Sequence, residues 1–321
     1  MARRKQIILR RWRYKLRQFT RNSYVCYFIE KRRRSEARKR KEAFASATDR
    51  EKERLIDSWF YKIKGVHVDF NNPRTFSEKM QWLKLYDRPE LKGSLADKFL
   101  VRDYVADRIG ANHLVPLLGV WDSVDSISFR SLPRRYVLKA THGAGWNIIV
   151  SDSSHLNERK AKKKLQDWLN TDFAYIAGYE PHYAFCKPRI IAEEFIDQAG
   201  GLVDYKVFCF NGCPLFIEVV NDRASGQPTT CFMDLSWREI DWHTTSYPRS
   251  NSLPDRPVCL EELLDCARKL SSGFSFVRTD FYIIDRRILF GEMTFTPASG
   301  IAEWAPEGAD AEIGSHLFLS I

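Results

Sequence analysis

The segment Phe274 to Phe295, FSFVRTDFYIIDRRILFGEMTF, restricts the fold more tightly than any other stretch, because two β-branched and aromatic runs flank a short polar break. Such a pattern is a β-hairpin. Alternation places Arg278, Asp280 and Tyr282 on one face of the first strand, and Ile288, Phe290, Glu292 and Thr294 on one face of the second. Directly opposed residues share a face, so turn length decides which side chains meet. A three-residue turn Asp285-Arg286-Arg287 pairs Asp280 with Glu292 and Arg278 with Thr294, whereas a two-residue turn sends the two carboxylates to opposite faces. Two carboxylates that close repel, and one pKa climbs unless a cation joins them. Mg²⁺ suits the position, since it binds one or two carboxylates and completes its shell with phosphate oxygens and water. Arg278, on the same face, can steady a transferred phosphoryl group or an oxyanion. The plainer reading is a salt bridge between Arg278 and one of the acids.

The rest of the body alternates helices and strands without repeats. NNPRTFSEKMQWLKLYDRPE carries capping-box spacing at Thr75 and Glu78, with Phe76, Met80 and Leu83 on one helical face. Organised sequence is expected from about Arg54, and a further helix from Ala96 to Ile109 with Gly110 as its stop. From Tyr136 the period changes from helix to strand. YVLK and NIIV flank ATHGAGW, and NERKAKKKLQDWLN then puts Ala161, Leu165, Trp168 and Leu169 on one helical face. Strands follow at RIIAEEFI, DYKVFCF and PLFIEVV, the last two joined through the tight-turn pair Asn211-Gly212, and LEELLDCARKLS is a helix. The class is α+β or α/β with several antiparallel hairpins.

The loop in YVLKATHGAGWNIIV is neither a Walker P-loop, because no Gly-Lys-Ser/Thr follows, nor a G-x-G-x-x-G fingerprint between strand and helix. What it offers is a strand lysine, Lys139, and a turn whose Gly143 and Gly145 can bring backbone N–H groups over phosphate oxygens. An ordinary hairpin turn is the competing reading.

The charge is lopsided. Between Met1 and Ala45 there are 17 Lys and Arg against three Glu, a local +14, leaving 34 basic against 38 acidic residues in the remainder. IILRRWRYKLRQF spaces Ile8, Trp12, Leu16 and Phe19 as a helix stripe between basic flanks, a pattern suited to an anionic membrane surface. EKRRRSEARKRKEAF has almost no apolar stripe and reads as a solvated helix or disordered. Nucleic acid is the less favoured partner for these charges, and a solubilising tail packed on the body is the bland alternative. No apolar run approaches a membrane span and no secretory signal is evident, so the expected address is cytoplasmic, peripheral at the inner membrane face if the tail binds lipid. The seven cysteines are scattered without C-x-x-C spacing and read as reduced.

Taken in order, FNNPRTFSEKMQWLKLYDR, ADKFLVRDYV, YVLKATHGAGWNIIV, IIAEEFI, DYKVFCFNG and VRTDFYIIDRRILFGEMTFTPASG resemble the TupA-like branch of the ATP-grasp superfamily, over roughly Arg54 to Phe318. The resemblance implies an α+β ATP-grasp fold: two α+β lobes with ATP held between them, preceded by a basic helical N-terminal tail. The implied division is a tail over 1–50 and a domain over 51–321, comprising a helical part 51–115, a lid lobe 116–192 and a C-terminal lobe 193–321. It further implies that Lys98 and Lys139 hold ATP phosphates, that Gly143 to Gly145 form the lid loop, and that Glu193, Glu194 and Ile196 form the adenine hinge. Lys206 would reach phosphate or ribose, Asp280 and Glu292 would ligate Mg²⁺, and Arg278 and Lys139 would be the catalytic residues, Arg278 by steadying an acyl-phosphate and Lys139 by positioning the ATP phosphates. Thr294 stands where relatives carry an Asn metal ligand; its hydroxyl would be the third ligand, weaker than an amide carbonyl, which weakens the case for a second ion, and Ala298 stands where relatives often have glycine. The implied activity is ATP-dependent amide formation between a carboxylate acceptor, such as a lipid-linked glycan uronic acid, and an amine donor, in surface or capsular polysaccharide biosynthesis. A non-catalytic nucleotide-binding scaffold and a glycosyltransferase are the alternatives, the latter without a D-x-D motif.

Overall fold

The computed structural model describes residues 24–198, 201–221 and 226–319. Its N-terminal part is helical: α1 (Tyr24–Ala45), α2 (Asp49–Lys64), α3 (Phe76–Tyr86), α4 (Pro89–Ala96) and α5 (Val101–Ile109). The capping box at α3 forms as its sequence dictates, the Glu78 amide donating to Thr75 Oγ1 at 3.1 Å and the Thr75 amide to Glu78 Oε2 at 2.9 Å. Phe76, Met80 and Leu83 are buried on its inner face.

Two expectations for this region need correction. The helix expected from Ala96 to Ile109 is broken, because Asp97 Oδ1 accepts the amides of Phe99 and Leu100 and so offers the backbone a local alternative to helix. Helical structure resumes only at Val101, which leaves Lys98 in the break. The basic run from Glu30 to Phe44 is helix from Tyr24 onward and is not merely solvated. Ala37 and Phe44 are buried, Arg40 Nη1 donates to the Tyr175 carbonyl at 2.9 Å, and Lys41 Nζ lies 2.9 Å from Asp172. Its apolar stripe is only two residues wide, but Arg40 adds a docked guanidinium that a hydrophobicity pattern does not register. Ordered structure thus begins well before Arg54. The stripe from Ile8 to Phe19 lies outside the described residues.

A four-stranded antiparallel sheet follows, in the order β1 (Leu117–Trp121), β4 (Ile190–Glu194), β2 (Tyr136–Ala140), β3 (Asn147–Val150). Helix α6 (Glu158–Leu169) seals one face through Ala161, Leu165 and Trp168, packed on Tyr136, Leu138 and Ala192. The second sheet has the order β11 (Arg287–Thr294), β10 (Phe276–Ile284), β5 (Asp204–Phe210), β6 (Cys213–Asn221), β7 (Thr229–Met233), β8 (Glu239–Ile240). Helix α7 (Leu260–Ser271) helps bury the face that carries Val207, Ile217, Val277, Phe281 and Phe290. The other face is divided. Phe208, Phe210, Phe216 and Phe276 pack under α3, while Lys206, Arg278, Asp280 and Glu292 form a charged half. A short pair, β9 (His243–Thr244) with β12 (Trp304–Ala305), and helix α8 (Ala309–Ser315) complete the chain.

Asn211-Gly212 turns between β5 and β6 with both residues at positive φ, as that dipeptide requires. The final hairpin departs from expectation in an instructive way. Its turn is two residues long, Asp285 (φ 47°) and Arg286 (φ 67°), with Ile284 opposite Arg287. That turn alone would separate the acids, yet Asp280 does pair with Glu292 and Arg278 with Thr294, because the register shifts by one residue between Phe281↔Phe290 and Asp280↔Glu292. Gly291 is the extra residue, a β-bulge. The bulge also corrects the facing: Ile288 and Phe290 enter the core, while Glu292 and Thr294 face the cleft side.

Candidate active site

The two sheets enclose a cavity of about 1020 Å³. Lys98, Lys139, Gly145, Glu193, Glu194, Ile196, Lys206, Arg278, Asp280 and Glu292 all line it. Gly143 and Thr294 stand just behind its wall, each bonded to a lining side chain.

The floor is one row of the second sheet. Register carries it from Glu292 through Asp280 and Lys206 to Glu218, across β11, β10, β5 and β6. Arg278, one pleat along, grips Asp280 with two parallel bonds of 2.7 Å, Nε to Oδ1 and Nη2 to Oδ2. Lys206 Nζ reaches Asp280 Oδ2 at 2.5 Å. Burial opposes the Arg278 charge, and Asp280 with Glu292 more than compensates, holding its pKa above the usual arginine range. At Glu292 burial likewise favours the neutral form, but Lys98, Arg278 and Lys206 overcome it and hold the carboxyl down to about 2. The floor is therefore an acid pair within a ring of cations.

Thr294 has a defined place there. Its hydroxyl donates to Glu292 Oε1 (3.2 Å) and accepts from Arg278 Nη2 (3.1 Å), so it orients the acid and the guanidinium together. Among the described residues no group of three His, Cys, Asp or Glu gathers into a metal-binding set. Asp280 and Glu292 form a two-carboxylate donor set open to the cavity, which fits a Mg²⁺ ion that draws its remaining ligands from phosphate and water.

The opposite wall belongs to the first sheet. Lys139 on β2 points across to β4, where its Nζ lies 2.5 Å from Glu193 Oε2. Glu193 also holds Arg102 Nη1 at 3.1 Å, and Arg102 Nη2 donates to the Val115 carbonyl at 2.9 Å. The glycine loop joins β2 to β3. Gly145 sits at φ 69°, where a side chain would be strained, whereas a Cβ at Gly143 would strike Phe173 and Trp146 at 2.8 Å. One glycine serves the turn and the other serves packing. His142 anchors the loop, its Nε2 donating to the Trp168 carbonyl at 3.0 Å. Lys98 Nζ bonds the Gly143 carbonyl at 2.5 Å and lies 3.8 Å from Glu292, so it spans from loop to floor.

Several features here escape a reading of spacing. Arg102 follows Lys98 by four residues, but helix spacing in its block does not reveal a partner on β4. Glu180 is another: fully buried, it accepts from Thr296 Oγ1 (2.5 Å) and Ser299 Oγ (2.9 Å), while Lys84 Nζ donates to the Ser299 carbonyl (2.9 Å). These bonds fix the 296–300 loop, whose Ala298 and Ser299 lie at φ 49° and 54° and whose Ala298 and Gly300 line the cavity.

Two antiparallel sheets that close on a cleft, with lysines on both walls and an acid pair on the floor, define an ATP-grasp fold. The chain belongs to the TupA-like ATP-grasp family, whose pattern it matches over residues 78–318. Among solved structures it is similar to the D-alanine–D-alanine ligase of Bacillus anthracis, at 16% identity and a TM-score of 0.39, over 70% of this chain and 63% of that one. The L-amino acid ligase of Bacillus licheniformis is similar at 17% identity and TM-score 0.38, over 68% and 47% of the two chains. Biotin carboxylase of Campylobacter jejuni, in its β-γ-ATP complex, is similar at 15% identity and TM-score 0.39, over 74% and 49%. The chain thus spans less than two thirds of the length of these structures. A comparison with curated proteins finds no match.

Proposed function

We propose that the chain is an ATP-dependent carboxylate–amine ligase. The observation that supports this best is the Arg278–Asp280–Glu292 floor beneath a cleft whose walls carry Lys98 and Lys139. In this reading Lys98 and Lys139 bind the polyphosphate from opposite sides, and the backbone about Glu194 and Ile196 meets the adenine. Asp280 and Glu292 would hold Mg²⁺, which when bound neutralises charge between the β- and γ-phosphates. The acceptor's carboxylate oxygen attacks the γ-phosphorus and ADP leaves. The amine then adds to the acyl carbon, and phosphate departs with the amine's proton passing to solvent. Arg278 faces the position where charge develops in both steps and stabilises it there.

The acceptor in this proposal is a glycan carboxylate, with the protein acting in surface polysaccharide assembly and the tail over residues 1–45 recruiting it to anionic lipid. Among the described residues no helix is long and apolar enough to cross a membrane. Purified protein with Mg-ATP and pools of carboxylates and amines should release ADP and phosphate only when a carboxylate acceptor and an amine donor are both present. Lys139→Met should abolish that release. ATP binding without turnover across broad pools would instead indicate a scaffold.

A further inference from the structure

Lys139 cannot be considered apart from Glu193, and Glu193 is held by a second cation. Arg102 Nη1 lies 3.1 Å from Glu193 Oε1, and Lys139 Nζ 2.5 Å from Oε2, so each carboxylate oxygen has its own cation. All three side chains are largely buried, at 15%, 9% and 20% exposure for Arg102, Glu193 and Lys139. Arg102 is further fixed by donating to the Val115 carbonyl, where the chain enters β1. A guanidinium suits this double task because its two arms are held in one plane, which an ammonium cannot reproduce.

Lys139 and Glu193 alone form a neutral pair, and a neutral pair gives a polyphosphate little reason to settle beside it. Arg102 restores a net positive charge to the group and competes with Lys139 for the carboxylate. We infer that Arg102 is a positioning residue for nucleotide binding: by holding Glu193 it leaves the Lys139 charge available to the phosphates. The inference rests on reading the cleft as a nucleotide site.

The experiment is calorimetric titration of full-length protein with Mg-ATP, in a cycle of Arg102→Met, Glu193→Gln and the double variant. Arg102→Met should weaken binding about tenfold, equivalent to about 1.4 kcal/mol. Glu193→Gln should bind at least as tightly as the parent, since the amide keeps an acceptor oxygen and loses the charge that sequesters Lys139. In the double variant the net charge returns, and affinity should recover to within about threefold of the parent, about 0.65 kcal/mol. Arg102→Lys should fall between parent and Arg102→Met. It carries the same cycle with Glu193→Gln if the methionine variant does not fold. Loss of affinity that Glu193→Gln fails to restore, or no loss at all, overturns the inference and leaves Arg102 a structural residue. Absence of Mg-ATP binding by the parent is a different result, because it removes the nucleotide reading itself.

Discussion

Gly291 sets the register that brings Asp280 and Glu292 together, and replacing it with alanine tests that claim. A Cβ at position 291 would lie 3.0 Å from the Asp280 carbonyl oxygen and 3.4 Å from the Tyr282 ring. Ordinary contact begins at 3.4 Å, so the first contact is short by roughly 0.4 Å, and the obstructing atom is backbone that cannot rotate away. Overpacking of this kind costs about 1–3 kcal/mol. At about 2.1 cal/mol/K per residue, a chain of 321 residues loses about 1.5 °C of Tm per kcal/mol. Relief must come from moving β10 against β11 at the acid pair itself. Because an ångström of misplacement can cost about 10²-fold in activity, a few tenths should weaken metal-dependent nucleotide binding severalfold. Titration with Mg-ATP and, separately, with ATP in excess EDTA measures this. The metal-dependent part of the affinity should shrink, while the metal-free part, carried by Lys98 and Lys139, should hold. Equal loss in both titrations, or no loss in either with unchanged Tm, would refute the link between bulge and acid pair.

Other consequences are as concrete. Asp280→Ala leaves Arg278 and Lys206 buried beside a missing partner and should destabilise by about 3–5 kcal/mol, seen as a large drop in Tm, whereas Glu292→Gln should fold well and lose chiefly the Mg²⁺ dependence of ATP binding. Burial, reinforced by the Lys92 and Lys84 charges, holds His182 well below the ordinary histidine pKa, and burial lowers His142 too. In the unfolded chain both take up protons near pH 6.5 while the folded chain does not, so stability should fall as pH drops from about 6.5 toward 5. Denaturant melts should show this slope, and His182→Phe, which keeps a ring against Tyr183, should flatten it. Removing residues 1–23 should reduce co-sedimentation with anionic liposomes without lowering Tm, because the docked residues Ala37, Arg40 and Phe44 stay in place. Unchanged sedimentation would refute lipid recruitment by that segment.

What could be read from the sequence follows the range of the interactions involved. The capping box at α3, the Asn211-Gly212 turn and the buried stripe of α6 are local, and each formed where its residues indicated. The Asp280–Glu292 pairing was legible only as a condition on turn length. The turn took the shorter form, with Asp285 in a left-handed conformation that aspartate tolerates and Arg286 in one that its type does not advertise, and Gly291 made up the difference. A glycine inside a strand is a bulge signal, and it stood in plain view in LFGEM. The break at Asp97 was masked by good helix formers on both sides. Arg102 and Glu180 were not legible, because their meaning depends on partners 91 and 116 residues away. Long-range buried pairs leave no period in the chain.

Calorimetry should compare Mg-ATP binding by the parent chain with that by Lys139→Met, which keeps the side chain's bulk and removes its charge. The parent should bind one ATP per chain and the variant at least about tenfold more weakly, the scale of one lost charge-assisted contact to phosphate. Equal affinities, or a parent that binds no ATP, would contradict the reading of the cleft as an ATP site gripped by Lys139.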